Sequence, residues 1–236
     1  MPGVLRLSTI IGRHFKITRR EAQKLIGEGR VRVNGKIITA PSEKLEFWDE
    51  VHCDGELIRA ATKFTYIKLN KPAGIESTTN TAIPGHLLTL VDHPAKLHAV
   101  GRLDKASEGL MLLTDDGRLF ANIANSERHQ EKEYVVTVDQ SFDEDFLRQM
   151  REGVKVMGQV TRPAKVWRED KSESTFRIVL TQGLNRQIRR MCFKLGYEVI
   201  RLRRVRIAEI TLGELQPGEW EMLGEKDLNI LFASIS

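Results

Sequence analysis

A short, continuous apolar run in the middle of the chain constrains the fold more than any other feature. The run Leu110-Met111-Leu112-Leu113 contains no polar position, so it suits a strand that is fully buried inside a sheet. Further strands are predicted at 66–70, 132–138, 159–167 and 175–180, and helices at about 117–125, 143–152, 185–195 and 225–232. Because strands and helices are interspersed without a regular βαβ rhythm, we expect an α+β fold around a largely antiparallel mixed sheet.

The N-terminal part of the chain carries signals for a helix followed by a hairpin. Thr18-Arg19-Arg20-Glu21 has the form of a capping box. The helix that it begins is expected to end at Gly27 and Gly29, and the alternation over 30–33 leads into Asn34-Gly35, a strong hairpin signal. Both elements present basic side chains around one concavity that suits the backbone of structured RNA, namely Arg19, Arg20, Lys24, Arg30, Arg32 and Lys36.

Basic residues are concentrated in two separate blocks, although the net charge is only +5 and the pI is near 9.2. Residues 1–36 contain nine Lys and Arg against two Glu, and residues 186–206 contain eight against one Glu. One such block alone is as easily a solvated face of a helix or sheet. Two blocks, each on a well-formed element, predict two places where a phosphate backbone is held.

Several classes of protein are disfavoured by what the sequence lacks. No apolar run approaches the roughly 20 residues needed to cross a bilayer, and the residues before Lys16 do not read as a signal peptide, so we expect a cytoplasmic protein with no membrane partner. Cys53 and Cys192 stand far apart, and neither a disulfide nor a metal site is predicted. The absence of Walker, G-x-G-x-x-G and H-E-x-x-H motifs counts against ATP, dinucleotide and zinc chemistry and fits an activity that needs no cofactor.

Asp104 is the first candidate for chemistry. It lies in the glycine-bounded segment 101–109, directly before the buried run. Such a turn would shield the carboxylate partly from water while leaving it facing a cleft. The alternative is an Asx turn or a capping role, which is the usual role of an Asp in a loop.

Two further motifs carry candidate side chains. The segment 183–191 predicts a helix with Asn185 as its N-cap and Gly196 as its end. One face of that helix is a stripe of Arg186, Arg189 and Arg190, which composition alone would equally explain as a solvated face. Tyr134 lies at the mouth of a predicted strand, where a tyrosine is most often core filler but where its ring could also stack on a base.

Taken in order along the chain, these motifs resemble the RsuA/RluB/RluE/RluF family of ribosomal RNA pseudouridine synthases. The matching motifs are Lys-Pro-x-Gly at 71–74, Gly-Arg-Leu-Asp at 101–104, Gly-Leu-x-Leu-Leu-Thr-Asp-Asp-Gly at 109–117, Lys-Glu-Tyr-x-Val at 132–136 and Gly-Leu-Asn-Arg-Gln-Ile-Arg-Arg-Met at 183–191. The resemblance is greatest to the RluF branch, which modifies large-subunit RNA. The N-terminal signals are similar to the alpha-L RNA-binding module.

The resemblance implies an RNA-binding module over residues 1–60 and a catalytic domain over 61–236, with the boundary near 57–64. It implies an enzyme that isomerises uridine to pseudouridine in ribosomal RNA, acting on a structured stem-loop whose target uridine is flipped out. The target would lie in 23S RNA, and we expect a monomer. The alternative is a protein of another functional class, a non-catalytic ribosome-assembly factor that only binds RNA.

The resemblance also assigns roles to the candidate residues. Asp104 would be the nucleophile or base, Arg189 the cation bonded directly to it across the cleft, and Tyr134 the ring that stacks on the uracil. Arg102 would help to hold the opened strand, and Arg186 and Arg190 would contact phosphate. An assembly factor gives no reason for Asp104, Tyr134 and Arg189 to occur together.

Overall fold

The chain forms two compact units, Met1–Phe64 and Thr65–Ser236. The structure is a computed structural model that describes residues 5–45, 49–60, 64–117, 119, 130–170 and 172–235. The helix predicted at 117–125 lies almost entirely outside the described residues.

The first unit packs two helices, α1 (Leu7–Phe15) and α2 (Arg19–Gly27), onto small sheets. Its strands are β1 (Leu5–Arg6), β2 (Val31–Val33), β3 (Lys36–Ile38), β4 (Lys44–Leu45), β5 (Val51–Cys53) and β6 (Glu56–Arg59). One sheet has the order β3-β2-β5-β6, and β1 pairs with β4.

Both local signals of the first unit are confirmed. The Thr18 hydroxyl accepts a hydrogen bond from the Glu21 amide at 3.3 Å, and the Glu21 carboxylate accepts one from the Thr18 amide at 2.7 Å. The hairpin turns at Asn34 and Gly35, which have φ angles of 50° and 78°. Two successive positive φ angles give the turn that matches the twist of a two-stranded ribbon.

The second unit is built on one large mixed sheet. Its strands are β7 (Tyr66–Lys71), β8 (His98–Val100), β9 (Glu108–Thr114), β10 (Lys132–Val138), β13 (Lys165–Arg168), β14 (Thr175–Leu180), β15 (Val199–Ile207), β16 (Ile210–Thr211) and β17 (Trp220–Met222). The order is β13-β14-β10-β15-β9-β7-β17, with β8 also paired to β9 and β16 to β15. The β15–β9 junction is parallel and the other named junctions are antiparallel. The predicted α+β fold with a largely antiparallel sheet is therefore confirmed.

Among the described residues, three helices accompany this sheet: α3 (Glu144–Glu152), α4 (Gln187–Lys194) and α5 (Glu225–Ile235). A short hairpin of β11 (Lys155–Val156) and β12 (Gln159–Val160) follows α3, and a 3-10 turn spans Leu87–Thr89. The Asp143 carboxylate caps α3 by accepting from the Phe146 amide at 2.9 Å. The predicted helices at 143–152, 185–195 and 225–232 correspond to α3, α4 and α5.

The strand predicted at 159–167 is wrong as a single element. β12 ends at Val160 and β13 begins at Lys165. Between them the Thr161 amide bonds to the Val154 carbonyl at 3.1 Å, and Pro163 has no amide hydrogen to donate to a neighbouring strand. The backbone therefore extends the β11–β12 hairpin as far as Thr161 and enters the large sheet only at Lys165.

β15 is absent from the predicted strands, although its nine residues join the two halves of the sheet. Its sequence, Val-Ile-Arg-Leu-Arg-Arg-Val-Arg-Ile, contains four arginines, which the sequence pattern places in a basic block. Register places Arg204 opposite Tyr134 of β10 on one side and opposite Gly109 of β9 on the other. This row of three residues across the middle of the sheet organises the region described below.

Two hydrophobic clusters meet at Tyr134. One contains Phe146 of α3 and Ile188 of α4 packed on β10 and β14, and the other contains Leu87 and Leu103 packed on β7 and β9. Tyr134 is partly buried and packs against both clusters. The sheet is therefore covered by two separate groups of side chains, with the tyrosine where they meet.

The parallel β15–β9 junction requires a glycine at position 109. Gly109 has a φ of 107°, and an added Cβ would lie 2.2 Å from the Arg204 carbonyl oxygen and 2.7 Å from its nitrogen. Both contacts are with backbone, which cannot move aside as a flexible side chain would. The two strands can approach this closely only because residue 109 has no side chain.

We therefore predict that Gly109→Ala lowers the free energy of unfolding by about 3 kcal/mol or more, because it adds both strain and overlap. Gly224→Ala is the matched control, since no neighbour lies within 4 Å of an added Cβ at Gly224. Urea unfolding of both variants measures the difference. A Gly109→Ala protein with the wild-type midpoint would contradict the close approach.

Candidate active site

Asp104 lies in the loop between β8 and β9, and its carboxylate is available for chemistry. Gly101 turns the loop at a φ of 79°, and the Ser107 amide donates to the Asp104 carbonyl at 2.9 Å. The Asp104 side chain is 28% exposed. Within the described part of the chain, the Asp104 carboxylate accepts no hydrogen bond. This side chain therefore forms neither the Asx turn nor the helix cap that the sequence left as its alternative role.

The loop that carries Asp104 is held by the last residue of β7 and by the segment that follows it. Lys71 is fully buried, and its ammonium group donates to the carbonyls of Pro72 at 2.9 Å, Ile75 at 2.8 Å and Lys105 at 3.4 Å. The Gly74 amide also donates to the Lys105 carbonyl, at 2.8 Å. These bonds fix the backbone immediately after Asp104.

Ser77 fixes the backbone immediately before Asp104. Its hydroxyl donates to the Leu103 carbonyl at 2.7 Å and accepts from the Leu103 amide at 3.0 Å. Together with the Lys71 bonds, this anchors the loop on both sides of the carboxylate.

Lys71 is not among the predicted site residues, although its Lys-Pro-x-Gly motif is part of the family resemblance. Burial lowers the pKa of Lys71 to about 8, while the nearby carboxylates of Glu76 and Asp104 act in the opposite direction. A lysine that ends a buried strand directly before Pro-x-Gly is the sequence signal that could have indicated this role.

Arg204 lies buried under the same loop, on β15. Its guanidinium donates to the Leu110 carbonyl at 2.8 Å and to the Arg102 carbonyl at 3.4 Å, and its Nη2 lies 3.0 Å from the Met111 sulfur. Burial lowers the pKa of Arg204, and the nearby Tyr134 hydroxyl opposes that change. A residue of the basic block 186–206 is thus inside the protein, where its side chain holds the loop and its backbone lies opposite Tyr134 in the sheet.

Arg189 of α4 reaches the loop from the other side. Its Nη1 donates to the Val199 carbonyl at 2.8 Å, and its Nη2 lies 3.3 Å from the Ala106 carbonyl oxygen. Its Nε is buried without a hydrogen-bond partner among the described residues and lies 4.0 Å from Asp104 Oδ2. The expected direct bond is therefore not formed: the two charges face each other at a longer distance, because backbone carbonyls hold both ends of the guanidinium.

The start of α4 differs from the prediction. Arg186, not Asn185, occupies the N-cap position, with a φ of 52° and no capping hydrogen bond from its side chain. The Asn185 carbonyl instead accepts from the Arg190 guanidinium at 3.0 Å, and the Gln187 side chain accepts from the Leu184 amide at 3.1 Å. Asn185 therefore orients Arg190 instead of capping the helix, and Gln187 stabilises the turn that precedes α4.

Two arginines of β15 are paired with carboxylates. Arg201 contacts Glu108 at 2.6 Å, and Arg206 contacts Glu131 at 2.9 Å and Glu133 at 3.1 Å. Lys165 and Arg177 continue these contacts into a charge ladder, in the order Lys165, Glu131, Arg206, Glu133, Arg177 and Glu169. In the block from 186 to 206, Arg201 and Arg206 are therefore paired with carboxylates and Arg204 is buried, whereas phosphate contacts of Arg186 and Arg190 stay a prediction.

The remaining predicted RNA-binding residues differ in whether a nearby carboxylate neutralises their charge. Arg102, Arg186 and Arg190 are exposed. In the first unit Arg30 is bound by the Asp54 carboxylate, with Nε to Oδ1 at 2.9 Å, and by Glu28. The exposed cations of that unit without an ion pair among the described residues include Arg19, Arg20, Arg32 and Lys36, while Lys24 lies 3.8 Å from Glu28.

The described residues contain no helix long and apolar enough to cross a membrane, and no group of three or more His, Cys, Asp or Glu side chains that could hold a metal ion.

Comparison with known proteins identifies both units. A family model described as RNA pseudouridylate synthase matches residues 65–194, and an S4 domain model matches residues 5–51. The dual-specificity RNA pseudouridine synthase RluF of Escherichia coli (strain K12) is 42% identical over 233 residues, which cover 98% of this chain and 79% of that protein.

Two further relatives cover nearly the whole chain. The ribosomal small subunit pseudouridine synthase A of Haemophilus influenzae is 32% identical, over 96% of this chain and 99% of that protein. A crystal structure of a pseudouridylate synthase is 33% identical with a TM-score of 0.66, and covers 96% of this chain and 99% of that one. The chain therefore belongs to the RsuA/RluF family of RNA pseudouridine synthases, which isomerise uridine in ribosomal RNA.

Proposed function

We propose that this synthase modifies a uridine in 23S ribosomal RNA, with Asp104 as its catalytic carboxylate. The observation that carries the proposal is a half-buried carboxylate without a hydrogen bond from the described residues, facing the unpartnered Nε of Arg189 at 4.0 Å. The choice of large-subunit RNA rests on the resemblance to the RluF branch. We further propose that the enzyme acts as a monomer in the cytoplasm.

The reaction breaks the N1–C1′ bond of uridine, turns the uracil and joins C5 to C1′. The proton that leaves C5 is balanced by one gained at N1, so the product is an isomer and no oxidant or group donor is consumed. Asp104 is suited to act as the nucleophile or as the base. Its first target would be C1′, C6 or a ribose proton.

Electrostatics support the pairing of Asp104 with Arg189. A carboxylate that loses water when substrate fills the cleft needs a nearby cation to remain charged. Arg189 supplies that charge from a fixed position, because its other nitrogens are held by the carbonyls of Val199 and Ala106. A preorganised charge of this kind costs no reorganisation during the reaction.

Tyr134 is suited to receive the uracil. It lies opposite Arg204 in the sheet, and its ring lies where the two hydrophobic clusters meet. Flipping a base out of a helix costs a few kcal/mol, and stacking on an aromatic ring returns about 1–3 kcal/mol. The exposed cations Arg102, Arg186 and Arg190, and those of the first unit, would hold the backbone of the stem-loop.

We predict that Asp104→Asn still binds RNA but loses isomerisation by about a thousandfold or more, because the shape is kept and the charge is removed. Release of tritium from C5-labelled uridine measures the rate, and filter binding measures affinity. Asp92→Asn, a change at an exposed loop residue of the same unit, is the control. Turnover near the wild-type rate in Asp104→Asn would mean that a residue other than Asp104 is catalytic.

Arg189 should affect turnover more than binding. We expect Arg189→Met to lower the maximal rate by about a hundredfold, as loss of a preorganised charge does, and Arg189→Lys to recover part of it. Arg190→Met should instead raise the RNA concentration needed for half-maximal rate. If Arg190→Met abolished turnover and Arg189→Met only weakened binding, the roles assigned to the two arginines would be reversed.

Salt dependence distinguishes free from paired cations in the first unit. Replacing Arg19 and Arg20 by Gln should reduce the slope of log affinity against log salt by about one for each phosphate that is no longer neutralised. Arg30→Gln is the matched control, because Asp54 and Glu28 already neutralise that guanidinium. Equal slopes for the wild type and the double variant would mean that Arg19 and Arg20 do not touch phosphate.

A further inference from the structure

A groove of about 790 Å³ lies beside α4. One side of the groove is the exposed face of that helix, and the other is formed by Met157 in the β11–β12 hairpin and by the segment 196–199. Arg189 lines the groove and also contacts the Ala106 carbonyl. The groove therefore begins one side chain away from Asp104.

Phe193 is the most unusual side chain in this groove. It is 77% exposed, and Met157 on the opposite side is 58% exposed. Single exposed apolar residues are common, but this phenylalanine follows Arg189 by one helical turn, about 6 Å along the axis. An open aromatic ring thus stands next to the arginine that faces the catalytic carboxylate.

Unpaired positive charge surrounds the ring. Arg186 and Lys194 line the groove, and their side chains form no ion pair or hydrogen bond among the described residues, while Arg190 is exposed nearby. The groove also contains two carboxylates, those of Asp139 and Glu198. The Asp139 carboxylate accepts a hydrogen bond from the Glu198 amide at 2.8 Å. The cations outnumber the carboxylates, so the groove attracts an anion.

We propose that this groove binds an unpaired nucleotide of the RNA substrate, with its base stacked on Phe193 and its phosphate held by Arg190 or Lys194. The inference rests on the proposed function, since it extends the path of the same RNA beyond Asp104. An aromatic ring among free cations is the combination that binds single-stranded nucleic acid without reading its sequence.

The test pairs a protein variant with a change in the RNA. Phe193→Ala should weaken binding of a stem-loop substrate by about tenfold or more, and Phe193→Trp should restore it. Trp167→Ala, which removes a 40% exposed aromatic residue of β13, should have no effect. Because Phe193 is exposed, thermal melting of the variants should match that of the wild type.

Abasic sites placed one at a time along the stem-loop then identify the stacked base. At one position next to the target, removal of the base should weaken wild-type binding by the same factor as Phe193→Ala, and combining both changes should add nothing. Tryptophan fluorescence of Phe193→Trp should be quenched by intact RNA and not by RNA abasic at that position.

Two results would overturn the proposal. In the first, Phe193→Ala binds and modifies naked RNA as the wild type does. In the second, Phe193→Ala is impaired only on ribosomal particles, which would make the groove a protein contact. Failure of the wild type itself to form pseudouridine would instead refute the proposed function, so the two failures are distinguishable.

Discussion

A buried guanidinium in the middle of a sheet must have its N–H groups satisfied, because an unpaired charge in a low-dielectric interior is very costly. Arg204 meets this requirement with the carbonyls of Leu110 and Arg102. Those partners belong to β9 and to the loop that carries Asp104, and the backbone of Arg204 lies opposite Tyr134 of β10 in the sheet. The side chain and the backbone of one residue therefore position the loop of the carboxylate relative to the tyrosine, and Gly109 allows β15 to come close enough for this to happen.

Features whose partners lie a few residues apart could be predicted from the sequence. The capping box at Thr18, the turn at Asn34-Gly35 and the helix capped by Asp143 all depend on bonds within four residues. The buried position of Arg204 depends on residues 94 and 102 positions away. An arginine-rich strand and a solvated basic face have the same composition, and only the partner strand distinguishes them.

The same distinction between local and distant partners applies to the candidate site. Motifs led to Asp104, Arg189 and Tyr134, and their neighbourhood in the structure is consistent with joint use. The 4.0 Å separation of Asp104 and Arg189 could not be predicted, because it results from the carbonyls of Val199 and Ala106 that hold the guanidinium. The Lys-Pro-x-Gly motif could have indicated a role for Lys71 but not its contacts, because its three carbonyl partners meet only when the segment after β7 folds under the loop.

The charge ladder on β10, β13, β14 and β15 has a consequence for how a polyanion meets this unit. Successive residues of a strand point to opposite faces, so Glu133 lies on the face of β10 opposite to Tyr134. On that face each cation of the ladder sits beside carboxylates, which leaves little field to draw RNA towards it. Long-range attraction then comes from the free arginines and the lysine around α4. RNA therefore approaches this unit with its backbone towards α4 before any contact forms. Fewer encounters occur at the face that carries the charge ladder.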